Sequence, residues 1–173
     1  MSRTDDRTRD QAFEAFYGRT SPGLWGYLYR MCGNGALADD IVQETFIRYL
    51  HNVQESLPER QRKAFIYKIA SHLLVDDIRA RRTVSLEAVE ERAKASGPAP
   101  SEALSPDLRR LFESLPPRDR SLLWLAYIEG YDHIEIAEIL GLKAGSIKVI
   151  LFRLRRSFAV SLKEIGYIPE ESS

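Results

Sequence analysis

Helical spacing dominates the chain. In "DDIVQETFIRYL", Ile41, Val42, Thr45, Phe46 and Tyr49 recur at intervals that place them along one face of a helix. In "AFIYKIASHLLVDDIRARR", Ile66, Ile69 and Leu73 repeat the pattern, with Ile78 a further candidate. No alternating apolar and polar run is long enough to build a sheet. An all-α protein is expected.

Between Thr83 and Pro106 the pattern stops. "TVSLEAVEERAKASGPAPSEALSP" is rich in Ala, Glu, Ser and Pro and has no aromatic residue. Such a stretch buries too little apolar surface to offset its ordering entropy, so a flexible linker is expected over 83–106. It divides the chain into two small helical domains, 1–82 and 107–173.

In the second domain a helix "HIEIAEIL" begins at Asp132 or His133. It stops at Gly141, where a left-handed residue carries no Cβ penalty. The turn "GLKAGS" follows, and Ser146 is expected to N-cap the next helix. Ala137 is small where two helices must cross, Gly141 sits at the turn, and Ile147 faces inward. This is the spacing of a helix-turn-helix, whose second helix lies in the major groove of DNA. Winding that helix at about 100° per residue gives a core face of Ile147, Ile150, Leu151, Leu154 and Phe158. The opposite face receives Lys148, Val149, Phe152, Arg153 and Arg156, with Arg155 at its edge. Upstream, "LFESLPPRDRSLLWLAYIEGY" offers Leu122, Leu125 and Ala126, with Trp124 and Ile128 as further candidates, to pack beneath the pair.

Charge adds a second basic surface. The chain of 173 residues carries 25 basic and 25 acidic groups, so net charge by itself implies no nucleic-acid partner. Yet Arg60, Arg62, Lys63, Lys68, Arg79, Arg81 and Arg82 crowd one stretch against Asp76 and Asp77 alone, and residues 143–163 hold no acid at all. Two basic patches on a neutral chain imply two surfaces for phosphate. With 44% hydrophobic and 29% charged residues the composition is globular, and the longest uncharged run, Thr20 to Tyr29, is far short of the roughly 20 residues that span a bilayer. No membrane insertion is expected. The charged N-terminus lacks the apolar core of a secretory signal, and Cys32 has no second cysteine to pair with, so a cytoplasmic protein is expected.

Catalytic chemistry finds little to use. His51, His72 and His133 are scattered, Cys32 has no nearby partner residue, and "GNG" at Gly33–Gly35 reads as a turn. Asp39 and Asp40 read as a helix start favoured by the dipole rather than as a metal site. No enzymatic activity, cofactor, metal or small-molecule substrate is expected.

At this point the segments resemble a known family. "SLPPRDRSLLWLAYIEGYDHIEIAEILGLKAGSIKVILFRLRR" is similar to region four of bacterial sigma factors of the extracytoplasmic-function (ECF) class. "LADDIVQETFIRYL" resembles the polymerase-binding part of their region two, and "RKAFIYKIASHLLVDDIRARR" the promoter-melting helix after it. The resemblance covers most of residues 11–82 and 105–163, in family order. It implies a sigma factor that binds core RNA polymerase and directs promoter-specific initiation for a stress or envelope regulon, under an anti-sigma factor.

Roles follow position by position. Asp40, Gln43, Glu44 and Ile47 lie with Arg48 opposite the Val42 core face, and the resemblance gives them the grip on the polymerase clamp helices. An exposed Ile47 among acids suits the centre of an interface with a polar rim. Arg62, Lys63, Lys68, Arg79, Arg81 and Arg82 would follow the phosphate backbone. Splayed bases of the upstream-ten element would be held by the loop near Gln54–Gln61 and by His72. His72 reads equally as a structural residue. The family often has Asn at His72 and Tyr at Asp77, and an exposed acid at Asp77 would repel phosphate, which leaves base preference here open. In the reader, Ser146, Lys148, Val149, Phe152, Arg153, Arg155 and Arg156 would meet the upstream-thirty-five element. Val149 and Phe152, where the family commonly has polar or basic residues, imply contact with thymine methyl groups. A helix-turn-helix regulator with an N-terminal sensor domain explains residues 116–158 equally well, but not the basic stretch at 60–82 or the exposed Ile47. An interaction protein that binds only protein partners is a third reading.

Overall fold

The computed structural model of the chain describes residues 3–52, 56–84 and 105–167. α1 (Arg3–Cys32) ends where Gly33 takes a left-handed φ of 67°. Asn34 then opens α2 (Gly35–Asn52), its Oδ1 accepting the Leu37 N–H at 3.1 Å. α2 buries Ala38, Ile41, Val42, Thr45, Phe46 and Tyr49, the face its spacing predicts with Ala38 added. Asp39 and Asp40 are not at the helix start. α2 begins at Gly35, and Asp39 instead accepts the indole N–H of Trp25 at 2.8 Å.

α3 (Glu59–Val84) has neighbours on two sides, α1 and α2 on one and α6 of the second unit on the other. This moves and widens its buried strip. Ile66, Tyr67, Ala70 and Leu74 are buried, whereas the expected Ile69, Leu73 and Ile78 are only half-buried. α3 also runs to Val84, past the expected domain end at 82. Residues 85–104, the bulk of the expected linker, lie outside the described residues.

The second unit opens with Ser105, whose Oγ accepts the Leu108 N–H at 3.3 Å to cap α4 (Pro106–Ser114). Pro106 fits the first turn, where its missing N–H costs no helical bond. α5 (Pro117–Leu123) continues into a π-helical turn, Trp124–Ile128. Asp132 then starts α6 (His133–Leu140) with a reciprocal capping box to Glu135, and Gly141, φ 65°, ends it. α7 (Ala144–Glu164) follows.

Ser146 does not cap α7. The N-cap is Lys143, in extended backbone and with no side-chain hydrogen bond. The left-handed Gly141 reverses the chain so quickly that the helix begins before the serine, which is left exposed in the first turn with its N–H on Lys143 O at 3.0 Å.

Ala137 and Ile147 are buried at the α6–α7 crossing, as the helix-turn-helix spacing requires. A single apolar cluster runs from Phe16 and Leu24 of α1 through Tyr67, Leu122 and Leu125 to Ile136 and Leu151. Inside it the Tyr27 hydroxyl lies 2.8 Å from Ser71 Oγ and donates to Ser121 Oγ at 3.1 Å, which ties α1, α3 and α5. Among the described residues there is no strand, and no helix is long and apolar enough to cross a membrane. The fold is all-α, two helical units closed on one core.

Candidate polymerase and nucleic-acid interfaces

On the outer side of α2, Asp40, Gln43 and Ile47 are exposed and Glu44 is partly covered. Glu44 accepts from Arg48 Nε at 2.6 Å, and His51 Nδ1 donates to Ile47 O at 2.8 Å. Ile47 is 50% exposed, and Leu50 beside it is 52% exposed. Sequence reasoning missed Leu50, although its spacing of three from Ile47 was the available signal. The pair makes one apolar spot with a charged surround, placed by the inward pull of Phe46 and Tyr49.

The basic residues of α3 divide into two groups. Near its N-terminus the Arg62 guanidinium lies over the Phe16 ring at 4.7 Å, and Lys63 Nζ meets Glu129 Oε2 at 2.6 Å. Arg60, which sequence reasoning left without a role, makes a two-pronged contact with Glu135: Nε donates to Oε1 at 2.9 Å and Nη2 to Oε2 at 2.8 Å. This bond holds the Glu135 carboxyl below the usual range and raises the Arg60 guanidinium. Farther along, Lys68, Arg79, Arg81 and Arg82 are exposed. Asp77 is not a free acid beside them, because Arg81 Nε donates to its Oδ2 at 2.7 Å.

His72 is exposed and lies beside the turn of the helix-turn-helix, where a Cβ on Gly141 would be 3.9 Å from its Nε2. Of the expected base-holding loop, residues 53–55, Gln54 among them, lie outside the described residues. Ser56, Leu57 and Pro58 lead directly into α3.

α7 places the residues expected to read DNA on the side its periodicity predicts. Ile147 and Leu151 are buried; Ser146, Lys148, Val149, Phe152, Arg153, Arg155 and Arg156 are all exposed. Val149 is 48% and Phe152 56% exposed, so both apolar side chains stand among the cations on the solvent side. Phe158 departs from its expected core role. It is half-buried and lines an apolar groove of about 350 Å³ between α4, the π-helical turn and the end of α7, with Phe112, Trp124 and Leu162. Among the described residues no group of His, Cys, Asp and Glu could hold a metal ion.

Comparison with known proteins agrees with this geometry. The family Sigma-70 region 2 matches residues 16–84, and Sigma-70, region 4 matches residues 105–158. The ECF RNA polymerase sigma factor SigE of Mycolicibacterium smegmatis is 32% identical over 87% of this chain, which spans 63% of that protein's length. The RNA polymerase sigma factor CarQ of Myxococcus xanthus is 30% identical over 86% of this chain and 87% of its own. The ECF RNA polymerase sigma factor SigW of Bacillus subtilis is 31% identical over 82% and 84%. In fold the chain is similar to the sigma factor RpoE from Bartonella quintana, solved with the anti-sigma factor NepR, with a TM-score of 0.72, 21% identity and coverage of 88% of this chain and 98% of that one. CnrH, solved with the cytosolic domain of CnrY, gives 0.62, 22% identity and 90% of each chain. With two sigma regions in order, one on each helical unit, and ECF relatives matched over most of its length, the chain belongs to the ECF class of RNA polymerase sigma factors.

Proposed function

We propose that this sigma factor binds core RNA polymerase through Asp40, Gln43, Glu44 and Ile47 of α2, with Leu50 extending the apolar centre. Residues 1–82 and 107–173 serve as the two working domains. Lys68, His72, Arg79, Arg81 and Arg82 meet the upstream-ten element, joined by Arg62 and Lys63 once their present contacts open. The exposed face of α7 reads the upstream-thirty-five element. Its Ser146, Lys148, Arg153, Arg155 and Arg156 contact phosphates or guanine edges, and Val149 and Phe152 meet thymine methyls.

The observation that carries the reading is α7 itself. Its buried Ile147 and Leu151 fix the helix so that the whole basic face, with Phe152 among it, points to solvent. The protein acts in the cytoplasm, on a stress or envelope regulon, with no catalytic site, cofactor or small-molecule substrate. An anti-sigma factor is its regulator, a proposal supported by the solved complexes of RpoE with NepR and of CnrH with the CnrY domain.

Reconstitution tests the function. The purified chain with bacterial core polymerase is expected to initiate from a cognate promoter, and Ile47→Asp to lose polymerase binding while keeping its fold by circular dichroism. A chain that binds promoter duplex alone and needs another sigma factor for transcription would instead be a helix-turn-helix regulator.

A further inference from the structure

The edge of the interface between the two units is made of carboxylates from the second unit set on cations of α3. Glu129, at the end of the π-helical turn, has a side chain only 7% exposed. It accepts from Lys63 Nζ at 2.6 Å, from the Tyr67 hydroxyl at 2.6 Å and from Trp124 Nε1 at 3.4 Å. Glu135 takes the fork of Arg60, whose Nη2 also donates to Gly130 O at 2.9 Å and whose guanidinium lies 5.1 Å from the Tyr131 ring centroid.

A carboxylate offers a guanidinium the same two-oxygen edge that a phosphate does, and a close ammonium–carboxylate contact occupies the ammonium as a phosphodiester would. Arg60 and Lys63 at the start of α3 are therefore already held as a nucleic-acid backbone would hold them. Among the described residues, the exposed basic face of α7 carries no such contact.

We propose that Glu129 and Glu135 are phosphate mimics that clasp the free chain shut and keep the N-terminal part of α3 off promoter DNA until the two units separate. The proposal rests on the sigma-factor reading of α3. In the closed chain, region four reads duplex while the melting helix is blocked. Opening exchanges the two glutamates for DNA phosphates at Arg60 and Lys63.

The interface is built to separate. Tyr27, Ser71 and Ser121 meet across it through hydroxyls, which water satisfies once the units part. The wholly buried Tyr27, whose ring centroid lies 6.3 Å from that of Trp124, loses the second unit's cover on opening. The closed form is thus the resting state, and contacts with polymerase and promoter drive it open.

The test is the double variant Glu129→Gln and Glu135→Gln in the full-length chain. Glutamine keeps an acceptor for Tyr67 and for the Asp132 N–H but removes the charge. Without polymerase, the variant is expected to bind a fork-junction DNA carrying the upstream-ten element about tenfold more tightly than the wild type, or about 1.4 kcal/mol. Its radius of gyration in small-angle scattering should rise. Affinity for a duplex carrying only the upstream-thirty-five element should not change. Lys63→Gln separates opening from binding, since it should expand the chain without the gain in fork-junction affinity. An unchanged radius and fork-junction affinity in a correctly folded double variant would overturn the clasp while leaving the sigma reading intact. A wild-type chain that is inert with core polymerase would overturn that reading, and the proposed competition with promoter DNA with it.

Discussion

The outward faces of α3 and α7 begin from the same material, a row of Lys and Arg on an amphipathic helix, and end in different states. On α7 the buried side is satisfied within its own unit, by α5 and α6, so the basic side is left to solvent. On α3 the second unit covers one flank, and Arg60 and Lys63 are bound by carboxylates from outside their own helix. A basic face stands free for a partner only where no acid of the same molecule has reached it first.

The strongest way to break this contrast is to remove what fixes α7. Ile147 is fully buried at the helix-turn-helix crossing, and Ile147→Ala is expected to cost about 2–5 kcal/mol in denaturant unfolding, with loss of upstream-thirty-five binding. Next comes the seam between the units. Tyr27→Phe removes the hydroxyl shared by Ser71 and Ser121 and should cost about 1–2 kcal/mol, read as a lower unfolding midpoint.

Within the reader the effects are smaller and differ in kind. Arg156→Ala should weaken binding to all sequences alike and reduce the salt slope by about one. Phe152→Ala should instead shift preference at one or two positions of a randomised promoter library. Equal losses from both changes would end the division between phosphate contact and thymine contact.

The smallest effect concerns the clasp and acid. Arg60 holds the Glu135 carboxyl below the usual carboxylate range, so its contribution is present above the ordinary value and is lost as pH falls through the lowered one. The stability gap between wild type and Glu135→Gln should stand at neutral pH and close in acid. Because Arg60 is more than half exposed, that gap should stay below about 1 kcal/mol in urea titrations at each pH.

Much of this was legible in the chain. The α2 face, the Ala137, Gly141 and Ile147 spacing and the exposed Val149 and Phe152 all follow from a repeat of about 3.6 residues, which is local. What failed was in part local in cause and in part tertiary. Ser146 looked like a cap because cap preference is read from residue type, whereas the reach of the Gly141 turn set the helix start at Ala144. Phe158 fell on the core stripe, but α4 and the π-helical turn stand off from the end of α7 and leave the ring on an open groove.

The sequence by itself determined which residues make helices, which side of each is apolar and where the charges cluster, because propensity and periodicity act over a few residues. Only the tertiary structure decided that α3 lies between two units, that Tyr67 rather than Ile69 is fully buried, and that Arg60 pairs with a carboxylate 75 positions away. Ion pairs at such separation have no sequence signature. They exist because Tyr27 packs on Ser121 and Trp124 across the seam, and that packing brings Glu129 and Glu135 within reach of α3.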